Sequence, residues 1–239
     1  MQSHRRLIRS VSFSGIDGAG KSTQIDALRQ AVEQAGICVR TIRFWDDVAV
    51  LTGLRETSGH RIFKGDKGIG SPSNPINRRD KNVRSWKMTC VRLFLYTVDA
   101  ISARLTAARL ARSCADLVIF DRYIYDELAN LNLDNALMRA YVRLIAWFVP
   151  RPGVSYVLDA DPAQARARKP EYPLEFIFEN RRAYLELSRL IGGIAVIPPG
   201  SIAEVRRNVL RHAFHAVFPA QGESREPEPE YPVERAALR

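Results

Sequence analysis

From Leu7 the chain alternates through Val11 and Phe13 and then breaks into glycine at Gly15, Gly18 and Gly20. A period of two predicts a strand, and the glycines predict a tight loop at its end. Beyond the loop Ile25, Leu28, Ala31, Val32 and Ala35 fall at helical spacing and stop at Gly36, so a helix follows. "CVRTIRFW" reads as a second strand. From about Val48 to Arg84 the chain accumulates Gly, Ser, Asn and Pro, which predicts a long irregular insertion over a site (about 48–84). A long helix from Ser85 to about Ser113 then carries Trp86, Cys90, Leu93, Phe94, Val98, Ile101 and Leu105 as its apolar stripe.

"DLVIFDRY" is a continuous apolar run capped by Asp121, as expected of a central parallel strand buried on both faces. A helix over Asp134 to Phe148 is ended by "PRPG", and "VSYVLDADP" supplies a fourth strand. "PAQARARK" reads as a short basic helix, "LEFIFENRRAYLELSRLIGG" as a longer one and "IAVIPP" as a fifth strand. An amphipathic helix closes the series, with Ser201 and Glu204 spaced as a capping box. Strands alternate with helices throughout, so the fold class is α/β with a parallel sheet. Residues 219–239 carry too little apolar surface to offset their ordering entropy and read as a disordered tail, leaving 1–218 as one domain.

Composition changes this picture in three places. No apolar run in the 239 residues approaches the roughly 20 needed to cross a bilayer, and the N-terminus runs into a strand where a signal peptide would have its apolar core, so a cytoplasmic address is expected. Cys38, Cys90 and Cys114 are odd in number and lack C-x-x-C spacing, which fits reduced thiols in a buried apolar role, with neither zinc nor disulfides. The formal charge of +10 calls for an anionic partner or substrate, nucleotide phosphates or nucleic acid, unless the arginines simply cover solvated faces. Asn77 to Lys87 gathers Arg78, Arg79, Lys81, Arg84 and Lys87 against Asp80 alone. His212 and His215 stand three apart without a third ligand and read as surface residues.

The chemistry starts at Gly15. Gly15, Gly20, Lys21 and Ser22, followed by Thr23, meet the pattern G-x-x-x-x-G-K-[ST] between a strand and a helix, where backbone N–H groups and the positive helix end converge on phosphates. Lys21 should reach the β- and γ-phosphates and Ser22 should place its hydroxyl on Mg²⁺. Asp121, at the carboxyl edge of its strand, is either the second metal-holding group or the cap of a following helix. Arg122 stands where a hydrolysing motor would need a carboxylate to position water, and a fixed cation there suits a second phosphate. The guanine-reading N-K-x-D is absent. Phosphoryl transfer to an acceptor is the reaction these residues favour.

"GIDGAGKSTQ" and "DRY" (Asp121, Arg122, Tyr123) resemble the two signature segments of the thymidylate kinase family, a branch of the nucleoside monophosphate kinases. "ARARK" and "FIFENRRAYLEL" look like its lid (about 163–176) and following helix, and the pieces keep the family's order over residues 8 to 215. The resemblance implies a P-loop kinase fold: a five-stranded parallel sheet flanked by helices, with a short lid. It implies ATP with Mg²⁺ as donor and the 5′-phosphate of a nucleoside monophosphate, dTMP by default, as acceptor. By it Asp17 lies near the metal and the transferring phosphates, Lys21 on the donor phosphates with Gly15, Gly18, Gly20, Ser22 and Thr23, Arg122 on the reacting phosphates, and Tyr123 beside the acceptor. Family members take a further arginine from the phosphate loop or from the lid. Ala19 leaves this loop without one, so Arg166 and Arg168, with Lys169, are the candidates unless they form a plain exposed basic helix.

The acceptor side departs from the family. "FWDD" replaces its usual E-P, Ala100 stands where an arginine should follow Asp99, and Asp126 and Glu127 replace small hydroxyl residues after D-R-Y. Asp99 either touches the acceptor or is hydrogen-bonded inside the fold. Trp86, Phe94 and Tyr96 either stack on a base or belong to the core. For the missing arginine, Arg78, Arg79 or Arg84 of the insertion would bind the acceptor phosphate, unless that segment is a solvated loop. The two new carboxylates would reshape the base pocket and make dTMP a poor substrate. The partners expected are a nucleotide acceptor and a second copy of the chain, with no membrane. Two other readings stand beside this one: a P-loop kinase of a different small acceptor, and a nucleotide-regulated protein that binds nucleic acid through Asn77 to Lys87.

Overall fold

The computed structural model describes residues 9–50 and 86–217. Apart from residues 48–50, the expected insertion, with Arg78, Arg79 and Arg84, and the expected tail lie outside the described residues. Five strands, β1 (Ser10–Ser14), β2 (Val39–Arg43), β3 (Leu117–Asp121), β4 (Val154–Leu158) and β5 (Ala195–Ile197), form one parallel sheet in the order β2-β3-β1-β4-β5. The three inner strands are buried on both faces, which is why they read as runs of Val, Ile, Leu and Phe, and in β1 as Val11 and Phe13 between small serines.

Helix α1 (Lys21–Gln34) packs with α7 (Ile202–Val217) over one face of the sheet. The other face carries α2 (Trp86–Leu110), a single-turn α3 (Ile124–Leu128), α4 (Ala136–Phe148) and α6 (Leu174–Ile191), while the short α5 (Pro162–Arg168) lies against α6. Helix ends follow local chemistry. Asn135 accepts from the N–H groups of Leu137 and Met138, and Asp161 accepts from that of Gln164 with Pro162 after it. Ser201 and Glu204 form the expected capping box. The sequence pattern missed α3 and a π-helical turn at Phe44–Val48, both only five residues long.

Three sequence expectations need correction. The stripe assigned to α2 faces water: Trp86 is 71% and Phe94 64% exposed, with Cys90, Ile101 and Leu105 exposed as well, while Leu93 and Val98 are half-buried. Its inner face is Tyr96, Asp99, Ala100, Ala103, Thr106, Ala107 and Leu110. The helix has two apolar sides, and the small alanines, which let it approach the core closely, are outweighed in a hydrophobicity pattern by the larger outer residues. The cysteines do not serve as buried apolar groups; Cys38, Cys90 and Cys114 are all exposed. His212 is half-buried, its ring edge-on to Tyr156 with Nδ1 3.1 Å from the tyrosine hydroxyl, whereas His215 is exposed. Among the described residues no helix is long and apolar enough to cross a membrane.

Candidate active site

β1 ends at Ser14 and the chain passes through Gly15–Gly20 into α1, whose first residue is Lys21. Gly15 has φ 135°, and a Cβ there would lie 2.5 Å from the Leu158 carbonyl oxygen at the end of β4. Gly18 has φ 83°, and a Cβ there would collide with the Ala165 carbonyl of α5. The loop is threaded between a neighbouring strand and the lid helix at points where only glycine fits. Lys21 turns its ammonium onto the Gly15 and Ile16 carbonyls, 2.8 Å from each. Its pKa is lowered to about 8, by burial first and then by Arg122, against the opposing pull of Asp17, Asp126 and Asp121. Ser22 and Thr23, in the first turn of α1, are exposed.

Asp121 ends β3 in register with Phe13, so its half-buried carboxylate comes to the same sheet edge as the loop. The helix start nearest to it is served by Asp126, which accepts the Tyr123 N–H at 3.2 Å, so capping is not the work of Asp121. Arg122 has φ 68°, a left-handed conformation uncommon for a non-glycine residue, and its N–H is held by the Phe13 carbonyl at 3.0 Å. Its guanidinium donates through Nη1 to Asp126 at 2.9 Å and through Nη2 to Asp17 at 2.5 Å. Burial alone would lower the Arg122 pKa, but the two carboxylates outweigh it and hold the charge firmly.

The lid side meets the same cluster. Arg168 donates to the Gly18 carbonyl at 3.1 Å, and the Lys169 ammonium stands 3.9 Å from Asp17 and 3.3 Å from Glu171. Asp17, Lys21, Asp121, Arg122, Arg168 and Lys169 therefore come together around the loop. Arg166 does not join them: it lines a separate cleft with Ala163, Ala167, Pro170 and Leu174. The expected acceptor residues are placed less openly. Tyr123 is buried against Phe120 and Tyr125 and donates its hydroxyl to the Pro150 carbonyl. Asp99, fully buried, accepts the Val50 N–H at 2.7 Å. Tyr96 is in the core and Trp86 and Phe94 are outside it. Asp46 and Asp47 are exposed, and Asp47 accepts the Arg43 N–H at 2.8 Å.

Sequence reasoning missed the support beneath the site. Asp126 is turned under Arg122, and Ser14, Tyr184 and a bidentate Arg181–Asp159 pair (2.6 and 2.7 Å) hold the surrounding elements. One signal was available for Tyr184: it falls seven residues after Ile177 on the buried stripe of α6.

No protein-family model matches the chain. It is 28% identical over 218 residues, 88% of this chain and 83% of the relative, to a thymidylate kinase of Chlorobaculum parvum. A thymidylate kinase of Bifidobacterium longum is 26% identical over 188 residues, covering 74% of this chain and 82% of the relative. A probable thymidylate kinase of Methanopyrus kandleri is 28% identical over 181 residues, covering 76% and 74%. Along most of its length the chain is therefore similar to thymidylate kinases. In fold the chain is similar to the crystal structure of thymidylate kinase from Ehrlichia chaffeensis, with a TM-score of 0.50 at 20% identity, over 85% of this chain and 97% of that one. The chain has a complete phosphate loop and an arginine fixed at its mouth, flanked by lid cations. Such a set can hold two facing anionic groups while the carboxylates of Asp17 and Asp126 keep the arginine in place.

Proposed function

We propose that this protein is an ATP-dependent nucleotide kinase that moves the γ-phosphoryl group of ATP to the 5′-phosphate of a nucleoside monophosphate, with dTMP first among the acceptors. The observation that carries the reading is Arg122: it is locked by backbone and by two carboxylates at the mouth of the phosphate loop, opposite the lid cations, with no carboxylate beside Asp121 in sequence to prepare a water. Five N–H donors belong to a guanidinium. Two are used here, which leaves three for an acceptor phosphate.

In this reading the loop N–H groups and the start of α1 bind the donor phosphates, and Lys21 leaves the loop carbonyls for the β- and γ-oxygens. The exposed Ser22 hydroxyl and the Asp121 carboxylate are hard oxygen donors suited to Mg²⁺, which neutralises charge on the donor phosphates when bound. An acceptor phosphate oxygen attacks the γ-phosphorus, the bond to the bridging oxygen breaks, and ADP leaves. Arg122 orients the acceptor and Arg168 follows the transferring charge from the lid, with Lys169 holding Asp17. Arg78 and Arg84 are the proposed acceptor-phosphate ligands, with Asp99 and Tyr123 supporting the acceptor wall. Asp126 and Glu127 are both buried, and the Asp126 carboxylate is committed to Arg122 and to its neighbours and not to a base, which weakens the reason for expecting dTMP to be poor. A cytoplasmic address belongs to the same reading, as does a homodimer formed through the apolar outer face of α2.

An acceptor panel tests it. With ATP and Mg²⁺, ADP formation should rise at least about 100-fold on adding dTMP, as positioning of the acceptor is most of the catalysis. ATP turnover indifferent to every nucleoside monophosphate would remove the transferase reading.

A further inference from the structure

The Asp126 carboxylate is 3% exposed as a residue and receives donors from three parts of the fold. The Ser14 hydroxyl, at the end of β1, donates to Oδ2 at 2.6 Å, and the Tyr123 N–H to the same oxygen at 3.2 Å. The Tyr184 hydroxyl, from α6, donates to Oδ1 at 2.8 Å, beside Arg122 Nη1 at 2.9 Å. Burial, and then the carboxylate itself, raise the Tyr184 pKa well above its ordinary value, so the hydroxyl keeps its proton to donate. Each oxygen thus takes two donors. Asparagine cannot replace this, because its amide nitrogen would face two N–H or O–H groups with no lone pair to offer.

We propose that Asp126 is a positioning residue which, with Ser14 and Tyr184, fixes the direction in which Arg122 meets the reacting phosphates. The guanidinium is pinned at both ends, by Asp126 on Nη1 and Asp17 on Nη2, so its plane has one orientation. Asp17 belongs to the phosphate loop and stays close to whatever the loop binds. Asp126 supplies the anchor on the far side and ties it to α6, the helix that follows the lid. A buried carboxylate is costly without such partners, and here each partner is an element that carries part of the site. The role of Asp126 rests on the reading that Arg122 acts on the reacting phosphates.

A double-mutant cycle separates the two ideas. Wild type, Asp126→Asn, Tyr184→Phe, Arg122→Ala and the two doubles with Arg122→Ala are assayed with ATP, Mg²⁺ and the fastest acceptor among dTMP, dUMP, dCMP, dAMP and dGMP. ATP binding is measured separately by calorimetry. Asp126→Asn should lower kcat about 100-fold and Tyr184→Phe about 10-fold, each with ATP affinity within about twofold of wild type, since a misdirected arginine weakens the transition state more than ATP binding. In the Arg122→Ala background both substitutions should change kcat by less than about twofold, because the group they direct is gone. Undiminished effects in that background would overturn the positioning role. Wild-type kcat in Arg122→Ala alone would defeat the reading of Arg122 itself, and the positioning role with it. If Asp126→Asn does not fold, the Tyr184→Phe arm, which removes one oxygen, decides the question by the same criteria.

Discussion

Lys21 shows how burial of one charge becomes a property of the whole site. An ammonium held against two loop carbonyls, with Arg122 nearby, has lost much of its hydration, and its pKa falls to about 8. Because the folded value lies below the ordinary lysine range, the protonated form costs stability below about pH 8, and that cost is relieved as the pH rises towards the unfolded value. Phosphate binding needs the opposite state, the ammonium. A profile of kcat/KM for ATP should therefore be level below about pH 8 and fall with a slope approaching one above it, while the stability contribution of Lys21 improves over the same range. A flat profile to pH 10 would place the phosphate-binding cation elsewhere.

At the scale of elements, the lid helix and α2 show what a pattern of residues can and cannot reveal. The loop from Gly15 to Thr23 was legible because its backbone demands glycine at Gly15 and Gly18, and the triplet Asp121 to Tyr123 because charged residues end an apolar strand. The three inner strands were legible because an inner strand must be apolar on both sides. The support under Arg122 was not, because Ser14 and Tyr184 reach Asp126 across 112 and 58 positions and meet only through the order of the strands. The orientation of α2 failed because both of its sides are apolar. In the lid, the two arginines looked equivalent, yet a helix turns about 200° over two residues, so Arg168 reaches Gly18 while Arg166 lines the cleft beside Leu174. Arg168→Ala should lower kcat by about 10³ with little change in ATP affinity, and Arg166→Ala by less than about threefold. Steady-state kinetics on the two variants checks the split; equal losses would mean that α5 rotates when substrates bind.

For the whole molecule, the outer side of the helical layer matters as much as the site. Phe94, Ile101 and Leu105 on α2 and Leu137, Leu144 and Trp147 on α4 are exposed apolar side chains of a size that usually marks an interface. Two copies related by a twofold axis would bury the α2 face against itself. Sedimentation should report a dimer for the wild type and a monomer for Phe94→Glu with Ile101→Glu; a monomeric wild type at micromolar concentration would remove the dimer from the account.

In the proposed reaction the phosphoryl group held by the loop passes to a second phosphate and not to water. Following the label from γ-labelled ATP tests this most directly, with dTMP and Mg²⁺ present. The label should move into dTDP, with free inorganic phosphate a minor product and all transfer lost in Lys21→Ala. Label released only as inorganic phosphate, at a rate that dTMP does not change, would contradict it.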